Sequence, residues 1–268
     1  MKKIAVINDI SGFGKCSLTA ALPIISAFGI QACPLPTGVF SNQTGYDSFK
    51  SVDLTDSMQS FIDEWKRLKP SFDGVLTGFI PNARQGEIIS RFIDDFKGEN
   101  TVITVDPIMG DDGELYPCHD EKTVAAVKEL VKKADIITPN VTELALLSGM
   151  PLKNGYTPDE IKNMSEITGV KTVITTGIEL DGKIANAVYS DGGMKLIEGR
   201  KIGEHFSGTG DIFSAYVLSA YLSGSDMFTA VKDASRFIEK AIEETLKNES
   251  PKHYHPDGVD FEKLIKTI

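Results

Sequence analysis

Residues 102–107, VITVDP, set the pattern of this chain: four β-branched residues in a row, then an acid and a proline. A continuous run of this kind suits a strand covered on both faces, as in a parallel sheet, rather than a strand with one wet face. Similar runs stand at 4–7, 75–77, 136–138 and 172–175. Apolar residues at helical spacing fall between them, for example Met58, Phe61, Ile62 and Trp65, and later Val124, Val127, Leu130 and Val131. The alternation predicts an α/β architecture with a central, mostly parallel sheet and right-handed crossovers. No Pro/Gly/Ser linker is long enough to divide the chain, so one domain spanning 1–268 is expected. Two stretches break the rhythm. Residues 31–46 are rich in Pro, Ser, Asn and Thr, and 185–202 alternate around Asp191, Gly192 and Gly193 like a hairpin. Both are expected to form a small lid over the sheet.

Composition narrows the function. With 268 residues, 41% apolar and 25% charged, the chain reads as soluble and globular. A net charge of −10 argues against a nucleic-acid surface, which needs Lys and Arg to neutralise phosphates. It also suits a site that takes a polyanion together with a metal. The cysteines, Cys16, Cys33 and Cys118, are odd in number, widely spaced and lack a CxxC pair, so neither a disulfide framework nor a zinc site is suggested, and a reducing cytoplasmic compartment is expected. The N-terminal apolar run stops at Asn8 and Asp9, too short for a signal peptide. No stretch approaches the ~18 apolar residues of a membrane helix, so no membrane partner is expected.

The residues just past the strands carry the chemistry. After the runs come Asn8 and Asp9, Gly78, Asp106 and Pro107, Pro139 and Asn140, and Thr176 and Gly177. In an open parallel sheet these positions share the edge where α/β proteins bind ligands. Asp106, Asp111, Asn140 and Glu143 would thus bring oxygen ligands of the kind magnesium prefers to two neighbouring strand ends. Each also has an ordinary use: Asp106 before Pro107 as a turn, Asn140 and Glu143 as caps of a helix starting near Val141.

Late in the chain stands FSGTGDIFSAYVL, 206–218, a glycine-punctuated loop, an acid and an apolar helical run. Such a loop offers unpaired N–H groups at a helix start, where an anion is favoured. Gly208 and Gly210 would let the backbone approach a phosphate closely. Asp211 would be repelled by that phosphate, yet is well placed as general base for an attacking hydroxyl. The alternative is an ordinary cap with Asp in the first turn. Residues 12–17, GFGKCS, are not a P-loop: the first glycine of GxxxxGK[ST] would fall at Asp9 and its hydroxyl residue at Cys16. Lys15 is either a phosphate contact from that loop or a solvated lysine.

Five ordered segments resemble the pyridoxal kinase family of the ribokinase-like superfamily: FSNQTGY at 40–46, VLTGF at 75–79, VDPIMGDDGELY at 105–116, ADIITPNVTELALLSG at 134–149 and FSGTGD at 206–211. The first matches the family's FSNHTGY lid segment with one substitution, Gln43, and the similarity runs to about residue 245. The resemblance implies a three-layer α/β/α fold and ATP-dependent phosphorylation of the 5′-hydroxymethyl group of pyridoxal, pyridoxine or pyridoxamine. It implies magnesium and usually a homodimer, with a monovalent cation as a further candidate cofactor. By this resemblance Asp211 accepts the hydroxyl proton while Gly208, Thr209 and Gly210 hold the developing charge. Asp9, Ser11, Thr44 and Phe79 hold the pyridine ring, although Phe79 is equally suited to a core. Asp106, Asn140, Glu143, Thr175 and Thr176 bind ATP, with Asp106, Asp111 and Glu143 at the metal.

The N-terminal NDISGFG is closer to the hydroxymethylpyrimidine kinases of thiamine synthesis, which usually carry Cys where this chain has Asp211. Asp9 is expected to favour an amine such as pyridoxamine by charge pairing. A hydroxymethylpyrimidine kinase and a non-catalytic vitamer-binding protein are the alternatives. Against the binder stands Asp211, since a carboxylate facing phosphate gains a pure binder nothing. The C-terminal tail with His253 and His255 is expected to be solvated.

Overall fold

A computed structural model describes residues 1–153, 155–203, 205–248 and 254–268. The chain opens with β1 (Lys3–Ser11), α1 (Ser17–Ala27), β2 (Gln31–Phe40), β3 (Ser51–Asp53) and α2 (Thr55–Leu68). It continues through β4 (Gly74–Thr77), α3 (Ala83–Phe96), β5 (Val102–Val105), a small hairpin of β6 (Gly110–Asp111) and β7 (Glu114–Leu115), and α4 (Glu121–Val131). Next come β8 (Ile136–Ile137), α5 (Val141–Ser148), α6 (Pro158–Thr168), β9 (Thr172–Leu180), β10 (Lys183–Ser190) and β11 (Gly193–Gly199). Then follow β12 (His205–Phe206), α7 (Thr209–Leu222), α8 (Met227–Asn248), β13 (Tyr254–His255) and a closing 3-10 turn at Ile265–Thr267. No helix among the described residues is long and apolar enough to cross a membrane.

One nine-stranded sheet runs β11-β10-β9-β8-β5-β4-β1-β2-β3. Its six inner strands from β9 to β2 are parallel, and the pairs β9–β10, β10–β11 and β2–β3 are antiparallel. Alternate side chains of each strand enter opposite layers. Ala5, Ile7, Val75, Ile103, Val105 and Val173 pack under α2–α6, whereas Ile4, Val6, Leu76, Ile136 and Ile174 face α1, α7 and α8. Both faces are therefore apolar, which is why the strands read as unbroken runs. Strand order reverses at β1, with β2 on one side and β4 on the other. In open parallel sheets a ligand site is expected outside the strand ends at such a switch point.

Several expectations change. Residues 31–40 form β2, a sheet strand rather than a lid. Pro34 and Pro36 lack the same-edge N–H groups, and β3 pairs only with Gly38–Phe40, so the prolines sit where no ladder bond is needed. The 185–202 stretch is a hairpin, turning at Asp191 and Gly192 with φ of 50° and 75°, but it extends the sheet instead of covering it. In α2 the buried face is Met58 and Ile62 with half-buried Trp65, while Phe61 is 43% exposed. The tail is not a solvated segment. His253 lies outside the described residues, but His255 is buried and stacks on Phe206 with ring centroids 4.4 Å apart, and Val259 and Phe261 join the core with α1 and α8.

Phe92 is fully buried among Trp65, Phe72 and Phe96. Phe92→Ala should destabilise the protein by ~3–5 kcal/mol, whereas Phe61→Ala on the exposed face should change stability by no more than ~0.5 kcal/mol. Urea unfolding of the two variants checks the layer assignment.

Candidate active site

The glycine loop opens α7 as its spacing requires. Gly208 caps the helix with φ 76°, and a Cβ there would overlap the Lys15 carbonyl oxygen. Only glycine permits this approach of the two backbones. Gly210 faces open space: a Cβ would meet nothing nearer than Asp106 Oδ2 at 3.9 Å. Asp211 occupies the first turn, half-buried. Its Oδ2 accepts from the Ser17 backbone N–H at 2.7 Å and its Oδ1 from Asn8 Nδ2 at 2.9 Å. Burial pushes its pKa up to about 6, with the charge of Asp9 adding to the rise and the Ser17 and Asn8 donors opposing it. A carboxylate poised near neutrality is suited to accept a proton.

The switch point supplies the facing wall. Asn8 Oδ1 accepts from Phe79 N at 3.0 Å, and a side chain at Gly78 would collide with Asn8, so the exits of β1 and β4 are locked together. Asp9 is 4% exposed and takes Ser17 Oγ at 2.7 Å and Ser11 Oγ at 3.2 Å; its burial raises its pKa against those donors. Phe79 is half-buried, its ring edge-on to Phe40 at 6.5 Å and to His119 at 5.6 Å between centroids, and it lies outside the buried core clusters. Thr44 is exposed on the loop after β2. Gln43 N donates to Phe13 O at 2.8 Å, Gln43 Nε2 to Tyr254 Oη at 2.7 Å, and Tyr46 Oη to Asp257, so the tail pins this loop beside the site.

Asp106 lies across from Gly210. Asp106, 7% exposed, accepts from Thr138 Oγ1 and Ser214 Oγ, each at 3.1 Å. Burial and the charge of Asp211 push its pKa up to about 7. Asn140 and Glu143 form a capping box on α5: Glu143 N donates to Asn140 Oδ1 at 2.8 Å, and Asn140 N donates to Glu143 Oε2 at 2.8 Å. The ordinary capping role is therefore real, yet it does not exhaust them. Glu143 Oε1 also accepts from Met109 N at 3.1 Å, and Asn140 Nδ2 donates to Gly110 O at 2.8 Å and to Asp111 Oδ1 at 3.3 Å. Glu143 is raised well above its ordinary value by burial and by Asp106, and Asp111 is raised by burial. These are oxygen donors of the kind a hard divalent cation takes, although among the described residues the acidic group whose ligand atoms lie close together is Asp111, Asp112 and His205.

Two expected contacts change. Thr175 is fully buried in β9 and so is withheld from a nucleotide; the alternation of the strand leaves Thr176, half-buried and bonded through its N–H to Pro139 O at 2.9 Å, at the sheet edge. Lys15 is half-buried and pairs with Asp260 and with Glu262 at 3.3 Å, which turns it toward the tail. Ser17, Thr138 and Ser214 are the supporting residues not singled out from sequence, whereas Asn8 is marked by its place just past the first apolar run. Nothing in residue type marks Ser17.

Asp106 makes stability depend on pH. Its folded pKa of about 7 stands above the ordinary 3.8, so its contribution is complete below about pH 4 and is lost as pH rises through about 7. Ligand-free Asp106→Asn should therefore melt above wild type at about pH 8, with the gap narrowing toward about pH 5. Thermal unfolding across that range checks it, and a constant gap would contradict it.

A family model described as phosphomethylpyrimidine kinase matches residues 18–256, a span that contains the loop after β2, Asp106, Asp111, Glu143 and the glycine loop. The pyridoxal kinase of Dictyostelium discoideum is 27% identical over 253 residues, covering 86% of this chain and 81% of that one. A Bacteroides thetaiotaomicron protein crystallised with pyridoxal superposes with a TM-score of 0.93 at 35% identity, covering 99% of this chain and 94% of that one. The pyridoxal kinase of Lactobacillus plantarum superposes at 0.91 with 27% identity, covering 100% and 96%. The likeness drawn from five short segments extends over the whole sheet and site, and the chain belongs to the phosphomethylpyrimidine kinase family.

Proposed function

We propose that this protein phosphorylates the 5′-hydroxymethyl group of B6 vitamers with ATP. The observation that carries the proposal is Asp211, held by two donors at the start of α7, beside an open Gly210 that faces Asp106. The pyridoxal kinases of D. discoideum and L. plantarum and the pyridoxal-bearing B. thetaiotaomicron structure supply the substrate class.

In this reading the alcohol lies between the Phe79 wall and Asp211. The carboxylate accepts the hydroxyl proton as the oxygen attacks the γ-phosphorus and ADP departs. Backbone N–H groups of Gly208, Thr209 and Gly210 stabilise the charge that develops on the transferring group, an electrostatic role they fill without rearranging. Asn8 and Ser17 keep Asp211 aimed. Asn140 and Thr176 line the nucleotide side. Magnesium would be held by Asp106 with Asp111 and Glu143 nearby, and when bound it neutralises phosphate charge. One kinase domain over 1–268, a homodimeric assembly and a cytoplasmic location complete the proposal. The family resemblance supports the first two, and the free thiols Cys16, Cys33 and Cys118 suit a reducing compartment.

Asp211→Asn should lower turnover of pyridoxal ~100-fold or more, the range for a lost general base. Nucleotide affinity by calorimetry should hardly move. Turnover close to wild type in that variant would remove Asp211 from the role.

A further inference from the structure

Two carboxylates of the site are joined through one residue. Ser17 gives its backbone N–H to Asp211 Oδ2 at 2.7 Å and its hydroxyl to Asp9 Oδ1 at 2.7 Å. Its backbone is left-handed, with φ of 51°. That conformation is unfavourable for a residue carrying a Cβ and persists only where the surroundings hold it. Asp9 provides the hold. It is 4% exposed, its second oxygen takes Ser11 Oγ at 3.2 Å, and its own N–H donates to Asn8 Oδ1 at 3.0 Å. Asn8 in turn donates to the other oxygen of Asp211. Consecutive residues of β1 thus govern both oxygens of Asp211, Asn8 directly and Asp9 through Ser17.

We propose that Asp9 is a positioning residue for phosphoryl transfer: through the Ser17 hydroxyl it fixes the left-handed peptide whose N–H aims Asp211. This assigns Asp9 a different task from the ring contact expected of it, and it rests on Asp211 being the base. Both oxygens of Asp9 already have donors from the protein, which is the arrangement of a strut.

The test is steady-state transfer from Mg·ATP to pyridoxal by Asp9→Ala, Asp9→Asn, Ser17→Gly and the Asp9→Ala/Ser17→Gly double variant, with Asp211→Asn alongside. Ser17→Gly tolerates the left-handed backbone and keeps the N–H, but loses the hydroxyl link. Asp9→Ala and Ser17→Gly should each lower kcat ~10-fold, with KM for pyridoxal and ATP within about twofold of wild type, because aim rather than binding is lost. The double variant should be no worse than the poorer single, since both cut one link. Asp9→Asn keeps a carbonyl acceptor for the Ser17 hydroxyl and should stay within about threefold of wild type.

A raised KM for pyridoxal in Asp9→Ala beside unchanged kinetics in Ser17→Gly would overturn the proposal in favour of a ring contact. Losses that multiply in the double variant would overturn it as well. Should Asp9→Ala fail to fold, Ser17→Gly with wild-type kcat is sufficient to refute the link. Asp211→Asn separates the two claims: retained turnover there defeats the base itself, whereas an inactive Asp211→Asn with normal Ser17→Gly defeats only the strut.

Discussion

The approach of Gly208 to the Lys15 carbonyl is the constraint on which the site depends. It brings the exit of the first strand against the start of α7, residues 194 apart in sequence at the bond from Ser17 to Asp211. No side chain fits between those backbones, so a larger residue at 208 would separate Asp211 from its donors. The same closeness leaves Gly210 open toward Asp106. Contact at one glycine and space at the other give the loop its shape, and the helix start supplies the donors.

Burial also sets the electrostatics of the site. Asp9, Asp106, Asp111, Glu143 and Asp211 are all pushed above their ordinary values, chiefly by burial. Lys15, the cation packed against the glycine loop, is turned to the acidic tail residues Asp260 and Glu262. In the proposed reading the phosphate-facing donors are therefore backbone N–H groups, and positive charge would come with the nucleotide as a metal. A raised carboxylate such as Asp211, at about 6, suits proton acceptance.

Much of this was legible in the chain. Strands buried on both faces carry continuous β-branched runs, so five were readable, and the glycine loop announced α7. β2 was hidden because Pro34 and Pro36 imitate a loop, and only the pairing geometry reveals that their edge is unpaired there. Thr175 and Thr176 are alike in type and are separated only by the side of the strand each occupies. Ser17 could not be read at all, since a left-handed serine has no compositional mark. The tail misled for a similar reason: His255 and Phe261 become buried only through contacts with Phe206, α1 and α8, distant in sequence.

Phosphoryl transfer from Mg·ATP, measured in parallel to pyridoxal, pyridoxamine, pyridoxine and hydroxymethylpyrimidine, tests the B6 assignment most directly. Turnover of the B6 alcohols is the predicted result. Turnover of hydroxymethylpyrimidine alone would contradict it and move the chain to thiamine chemistry, and turnover of none would leave a site that binds without reacting.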